Sequence, residues 1–396
     1  MLWSQHRQWS PLLVAVVGLG LMGARQTPTP SDPILDLARR IENKDAKLEF
    51  EPGHGYLKAI LKELDIDPSS QVLVFSKSSL QTEFITPKNP RAIYFNDHTY
   101  VGWIAGAPLI EIASVDPENG VKFYTIPNHE GAAPSFKTET RACFPCHGGS
   151  NLVARSSPTT PAGYTRPFSP TYSVTSSTPL RQRWGGWYVT GLHGVQRHMG
   201  NEFSIGDDES NEINVEKGAN ITKLDRYFDT KPFLTPHSDI VALMVMEHQM
   251  ALQNLIYQTS QRAAYASGSE LTRLADNLVG SLLCRNDAPL YGPIKGTSSF
   301  AKVYQDSAPK DASGRSLAEF DLKERLYKYS CSPLIYSESF TKLPAPLKAQ
   351  VWRRLKEILT GTDASGNYDY MSKPTKQALL AILQETLPEF GQSLKG

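Results

Sequence analysis

Two cysteines and a histidine stand close together in the segment Cys143-Phe144-Pro145-Cys146-His147, which has the pattern C-x-x-C-H. Two thiols separated by two residues can each add to one of the two vinyl groups of a single porphyrin and form thioethers. The histidine that follows then lies under the ring, where its imidazole can bind the iron. The spacing predicts one covalently attached haem c, with Cys143 and Cys146 as attachment points and His147 as the proximal ligand.

Two other chemistries use paired thiols, and the surrounding sequence argues against both. A structural zinc site needs four ligands, usually from two such pairs, but the remaining cysteines, Cys284 and Cys331, are distant in the sequence. A thioredoxin-like dithiol follows a buried strand and opens a helix. Here residues 129–134 (HEGAAP) approach the motif and Gly-Gly-Ser leaves it, which predicts neither element. Zinc and a redox dithiol are the alternatives to haem at this motif.

Haem iron has a second axial position, and the sequence offers two residues for it. Met199 lies in the aromatic, Gly-rich stretch 183–201, where glycines let the chain approach a flat ring. His248 lies on the apolar face of a predicted helix, where a buried imidazole needs a partner. We therefore name Met199 and His248 as candidate metal ligands. The alternatives are ordinary packing for Met199 and a hydrogen-bonded core histidine for His248.

The elements that position these residues predict an α+β fold. Runs of β-branched and aromatic residues, separated by turn signals, predict an antiparallel β-meander that leads into the motif. The predicted strands are 72–75, 92–95, 100–104, 109–113 and 121–126. After the motif, residues 150–182 are rich in Ser, Thr and Pro and predict a long loop.

Helices are predicted before the meander and in the last third of the chain, because apolar residues recur there at helical spacing. The predicted helices are 34–41, 55–64, 239–266, 271–284, 317–329, 345–359 and 375–387. The third of these is predicted to be a long amphipathic helix with Ser238 or Asp239 as its N-cap.

The N-terminus has the pattern of an export signal. His6 and Arg7 form a weakly basic start, residues 11–22 are an apolar run, and Gly23-Ala24 supply small residues for cleavage. We expect cleavage after Ala24 and a periplasmic or otherwise exported protein. An uncleaved membrane anchor is the alternative.

These patterns divide the chain into four parts. Residues 1–24 are the signal peptide, 25–33 a Pro-rich linker, 34–215 a β-rich haem-attachment region and 216–396 a helical region that packs on it. No second run of eighteen apolar residues is present, so we expect no transmembrane segment after signal removal. The 41 basic and 40 acidic residues nearly balance, which gives no reason to expect a nucleic acid partner.

With this motif the chain resembles a mono-haem c-type cytochrome. Small electron-carrying cytochromes have a helix just before the motif, whereas strands are predicted here, and this chain is several times longer. Three further segments are similar to a group of uncharacterised bacterial cytochrome c-like exported proteins. They are WGGWYVTG-x-HG-x-x-RHMGN at 184–201, EHQ at 247–249 and CSPLIYS at 331–337. That similarity implies one structural unit and no particular activity.

Two functions follow from a covalent haem. With both axial positions filled, it passes single electrons to a redox partner protein or to a small-molecule donor or acceptor. This function is favoured because it needs only the motif and one further ligand. With an open distal position, the protein is a peroxidase-like oxidoreductase in which His193, Arg197 and His198 move protons and stabilise charge. A haem-based sensor is neither supported nor excluded. Cys284 and Cys331 form either a disulfide or two buried thiols.

Overall fold

The computed structural model describes residues 32–204 and 213–394. The expected signal peptide, 1–24, and residues 25–31 of the expected linker lie outside the described residues. No helix within the described ranges is long and apolar enough to cross a membrane.

The described residues form short and long helices around one large sheet. The strands are β1 (Val72–Val74), β2 (Arg91–Phe95), β3 (Thr99–Trp103), β4 (Leu109–Asp116), β5 (Gly120–Pro127), β6 (Lys137–Thr138), β7 (Arg155–Ser156), β8 (Tyr172–Ser173) and β9 (Trp187–Tyr188). The helices are α1 (Pro33–Glu42), α2 (Leu57–Glu63), α3 (Phe144–His147), α4 (Ile240–Ala263), α5 (Gly268–Leu282), α6 (Phe300–Ser307), α7 (Glu338–Thr341), α8 (Ala345–Thr360), α9 (Lys373–Thr386) and α10 (Pro388–Ser393).

The large sheet has seven strands in the order β6-β5-β4-β3-β2-β1-β9, and all its neighbours are antiparallel. The predicted α+β fold and the meander that precedes the motif are therefore confirmed. The hairpin between β4 and β5 shows why the strands end where they do. Asp116 accepts hydrogen bonds from the backbone of Glu118 and Asn119, and Gly120 has a φ of 77°.

The two faces of the sheet pack against different helices because successive strand residues point to opposite sides. In β1, Leu73 packs in one core with residues of α1 and α2. Its neighbours Val72 and Val74 pack in a second core with residues of α4. The sheet is therefore covered on both faces. Helices α1 and α2 pack on one face, and α4 packs on the other, where Cys143 of the C-x-x-C-H motif also packs.

Helix α4 is the centre of the second core. Every residue from 238 to 250 is buried, so the helix is enclosed on all sides over its first half. The sequence predicted an amphipathic helix, and that prediction is wrong for this half. Asp239 is the N-cap, as predicted, and accepts from the backbone N–H of Val241 at 2.8 Å.

The remaining helices form a third core beyond α4. Residues of α5, α8, α9 and α10 pack together there, and Leu252 and Ile256 of α4 contact them. The predictions for α1, α2, α5, α8 and α9 agree with the structure to within a few residues at each end.

One helix predicted within the described residues is absent from the structure, and some elements were not predicted. Residues 317–329 do not form a helix: Phe320 pairs with Tyr327 in an isolated bridge, and Leu322 between them has a left-handed φ of 55°. The ring of Phe320 stacks on those of Tyr304 and Tyr327, so aromatic packing outweighs the helical spacing. The sequence also did not predict α6, or the small sheet of β7 and β8 inside the long loop.

Asp239→Ala should lower the free energy of unfolding by about 3 kcal/mol, since it removes a cap and leaves several donors without an acceptor. Besides Val241, the carboxylate of Asp239 accepts from the backbone N–H groups of Thr297 and Ser298. Urea denaturation measures the change. Asp225→Ala, at an exposed residue, is the control; a similar loss in both variants would contradict the prediction.

Candidate functional site

The C-x-x-C-H motif lies at a cavity between the sheet and α4. The empty space, including the part open to solvent, is about 1190 Å³. Strands β2 to β5 form one wall, and the motif and α4 form others. The residues that line it include the apolar Ile93, Tyr100, Ala113, Phe123, Leu152, Trp187, Met246 and Met250. Cys143, Cys146 and His147 line the same cavity, so the structure brings the three predicted motif residues to one apolar space.

The motif itself is a single helical turn, α3, with Cys143 just before it. The sequence predicted no helix here. Pro145 fits the first turn of a helix, where no backbone N–H is needed. Gly148 and Gly149 follow with φ of 59° and 92°, a left-handed conformation that ends the turn sharply. The two thiols and the imidazole are therefore held on a short, defined turn.

The imidazole of His147 is oriented by the backbone. Its Nδ1 lies 2.9 Å from the carbonyl oxygen of Asn151. Because a carbonyl oxygen only accepts, Nδ1 carries the hydrogen and Nε2 has the lone pair. The ring also packs against Phe123, with centroids 4.5 Å apart. Burial lowers the pKa of His147, which favours the neutral ring. This is the arrangement by which proteins orient a histidine that binds a metal through Nε2.

The environment of Cys143 is unsuited to a redox-active thiol. Cys143 is half-buried and Cys146 is exposed, and both are free. Burial, and then the nearby carboxylates of Glu111 and Glu139, raise the pKa of Cys143 to about 11. A nucleophilic dithiol needs a lowered thiol pKa, so the environment disfavours the dithiol alternative. Among the described residues, the one group arranged like metal ligands is elsewhere, at His248, Cys284 and Asp287, which disfavours zinc at the motif.

Two arginines and one carboxylate, that of Glu111, lie at the cavity. Arg91 forms an ion pair with Glu111 at 2.9 Å. Its Nε is buried and makes no hydrogen bond within the described part of the chain. Arg155 donates to the carbonyl oxygen of Cys146 at 2.8 Å. An apolar cavity with cations at its edge suits a flat ligand that carries carboxylates.

The candidate distal ligands are not brought to this cavity. The described residues that line it include neither Met199 nor His248. Met199 lies in a loop, where its backbone N–H donates to Arg183 at 3.0 Å. His248 is 2% exposed and its Nε2 lies 2.8 Å from the hydroxyl of Ser332. Neither residue is therefore among the described ones that share the cavity with His147.

Met246 and Met250 line the cavity in their place, and the sequence analysis did not single them out. They are four residues apart on α4, so both lie on one face of the helix. The spacing M-x-x-x-M was the available signal, but in an apolar helix it is also typical of core packing. The stretch 183–201 does reach the cavity, through Trp187.

His193, Arg197 and His198, the residues expected to act in a peroxidase-like reaction, make structural contacts within a loop region. His193 Nδ1 donates to the carbonyl of Gln196 at 2.8 Å, and its Nε2 accepts from the backbone of Asn220 at 2.9 Å. Arg197 pairs with Glu216 at 2.7 Å. The ring of His198 packs on that of His193, with centroids 4.8 Å apart. None of His193, Arg197 and His198 is among the described residues that line the cavity.

The chain matches no family model, no curated protein and no solved structure. Its function is therefore argued from the geometry of the site.

In the full chain carrying Cys143→Ser and Cys146→Ser, without haem, His147 should be the Nδ1–H tautomer, because Nδ1 donates to Asn151. Its pKa should lie below that of a free histidine, about 6.5, because burial penalises the charged ring. Nitrogen-15 NMR of labelled histidine measures both properties, and the same protein unfolded in urea is the reference. A Nε2–H tautomer, or a pKa at or above that of the unfolded protein, would refute this arrangement.

Proposed function

We propose that the protein is a c-type cytochrome that holds one covalent haem and transfers single electrons to a redox partner. The observation that carries the proposal is the geometry of His147. Its Nδ1 is bound to the carbonyl of Asn151, and it lines one apolar cavity together with Cys143 and Cys146. A directed imidazole beside two thiols at C-x-x-C-H spacing is the constellation that haem attachment requires.

Each part of a haem would have a matching protein group in the cavity. Cys143 and Cys146 would form the thioethers, and His147 would bind the iron through Nε2. Arg91 and Arg155 would pair with the two carboxylates of the porphyrin. When bound, the haem supplies a one-electron couple between ferric and ferrous iron.

The cavity favours Met246 or Met250 as the second axial ligand over Met199 and His248. Both methionines are on the α4 wall of the cavity that His147 lines, whereas Met199 and His248 have positions elsewhere. A thioether ligand stabilises ferrous iron and raises the reduction potential. Since Met246 is 1% and Met250 9% exposed, either ligand would be shielded from water.

The position of the motif supports electron transfer rather than storage of a buried cofactor. Cys146 is exposed, and the Phe144 side chain is 41% exposed. A haem attached there would have one edge close to solvent. Electron transfer slows steeply with distance, so a partner must approach such an edge. Together with the signal pattern at 1–24, this leads us to propose an exported protein with an exported partner.

Purified protein should gain the mass of one haem and retain it after acid-acetone extraction. Cys143→Ser combined with Cys146→Ser should lose covalent haem, because both thioethers are removed. Cys284→Ser and Cys331→Ser are the matched controls and should keep it. Mass spectrometry and haem staining of denatured gels measure the outcome. Haem that extracts from the wild type, or that survives in the double variant, would exclude covalent attachment at this motif.

Methionine ligation should give the near-infrared sulfur-to-iron band in the ferric protein. Leu fills nearly the same volume as Met but cannot bind iron. We expect one of Met246→Leu and Met250→Leu to lose the band and become high-spin, while Met199→Leu, the control, keeps it. A band that survives in both α4 variants would place the ligand elsewhere.

The spectrum of the wild-type ferrous protein also tests the alternative function. A six-coordinate haem should bind carbon monoxide slowly. Rapid binding would mean an open distal position and would favour an oxidoreductase over an electron carrier.

A further inference from the structure

A second group of ligating side chains, one buried and two half-buried, lies away from the cavity, between α4 and the end of α5. It consists of His248 on α4 and of Cys284 and Asp287 just after α5. A ring nitrogen of His248, the thiol sulfur of Cys284 and a carboxylate oxygen of Asp287 all lie within 4.8 Å of one another. None of the three is among the described residues that line the haem cavity.

His248 has an unused nitrogen directed at this group. The side chain is 2% exposed, and its Nδ1 has no hydrogen-bond partner in the described part of the chain. The carboxylate of Asp287 is 3.9 Å from Nδ1, which is too far for a hydrogen bond. A buried ring nitrogen that has lost its water without gaining a partner destabilises the fold. A further atom between Nδ1 and its neighbours would supply the partner that this nitrogen lacks.

The other ring nitrogen is held in place. Nε2 lies 2.8 Å from Ser332 Oγ, which also accepts from the backbone N–H of Leu334 at 3.3 Å. The hydroxyl can accept from Nε2–H or donate to Nε2, and the tautomer that suits a metal is the first, in which Nδ1 has the free lone pair. A hydrogen bond from the second nitrogen is how histidines are oriented toward a metal.

Cys284 and Asp287 are brought together by a tight turn. Cys284 has a left-handed φ of 57°, and the backbone N–H of Asp287 donates to its carbonyl at 3.3 Å. Two ligands with two residues between them have the spacing of a zinc-binding pair. Among the described residues, no Lys or Arg nitrogen lies within 4.0 Å of the Asp287 carboxylate. The carboxylate of Asp287 is therefore not engaged in an ion pair with a Lys or Arg of the described residues and is available to a metal ion.

We infer that His248 Nδ1, Cys284 Sγ and the Asp287 carboxylate bind a divalent transition-metal ion, with Zn²⁺ as the fitting member of that class. Nitrogen, sulfur and oxygen donors together suit zinc, whereas calcium and magnesium take oxygen ligands. Binding replaces the S–H bond of Cys284 with an S–Zn bond and releases the proton to solvent. The site is independent of the proposed haem.

Zinc binding would require only small movements of the three side chains. Zinc bonds of about 2.0 to 2.3 Å put tetrahedral ligand atoms about 3.3 to 3.8 Å apart. Since the atoms here lie within 4.8 Å of one another, closure requires side-chain shifts of about 1 Å. The three residues provide three of four zinc positions, and a water molecule would complete the tetrahedron.

The test uses the full-length protein, dialysed against Zn²⁺ and then against metal-free buffer. Elemental analysis should find one zinc per chain in the wild type and in Cys331→Ser, a buried cysteine outside the group. Cys284→Ser and Asp287→Asn, which hardly change volume, should each lower the affinity at least tenfold. Circular dichroism establishes that both variants are folded.

X-ray absorption at the zinc edge of the wild-type protein gives a readout that needs no variant. The inference predicts one sulfur at about 2.3 Å and the remaining ligands, nitrogen and oxygen, at about 2.0 to 2.2 Å. Two sulfurs would instead indicate the C-x-x-C-H motif, and an all-oxygen shell would indicate a surface carboxylate site. Either result overturns the inference, as would a disulfide between Cys284 and Cys331 in the native protein.

Discussion

The complete burial of the first half of α4 is the constraint on which the rest of the structure depends. A helix that meets water on one side can place its polar residues there, but residues 238 to 250 are all buried. The sheet and side chains from residues 290–327 pack around this half of α4. The core that contains α5 and α8 to α10 contacts α4 farther along, at Leu252 and Ile256. Every polar side chain in this segment must therefore find a partner inside the protein, and every apolar side chain must meet a cavity wall or a packed neighbour.

Glu247 is an example of a polar side chain in this buried segment that has a partner inside the protein. It is 2% exposed and pairs with Arg183, itself 5% exposed, at 3.1 Å. Burial raises the pKa of Glu247 to about 7, although Arg183 acts in the opposite direction. Arg183 also donates to the backbone carbonyls of Thr178 and Ser176. Removing one partner of such a pair leaves a buried charge and costs about 3 to 5 kcal/mol. The ion pair therefore connects α4 to the loop that follows the C-x-x-C-H motif.

The parts of this fold that the sequence predicted are those set by local chemistry. The strands were predictable because alternation and turn residues such as Gly120 act within a few positions. That Cys143, Cys146 and His147 line one cavity was predictable because they stand within five positions of one another. The predicted helix at 317–329 failed because its packing depends on Tyr304, which is distant in the sequence. The surroundings of Met246 and His248 could not be predicted, since the sequence of a helix buried on all sides does not reveal which neighbour each residue faces.

The two candidate metal sites are therefore consequences of one helix. Met246 and Met250 share a face, four residues apart, and that face closes the cavity beside the motif. His248 is two positions from each, a rotation of about 200° around the axis, so it points away from them. There it meets Cys284 and Asp287 from the end of α5. Because α4 is fixed at its start by Asp239 and along its length by the two cores, neither face can shift without the other. The position of His248 follows from the same packing that brings the methionines to the cavity, and this explains why a histidine is buried in a helix that is otherwise suited to apolar residues.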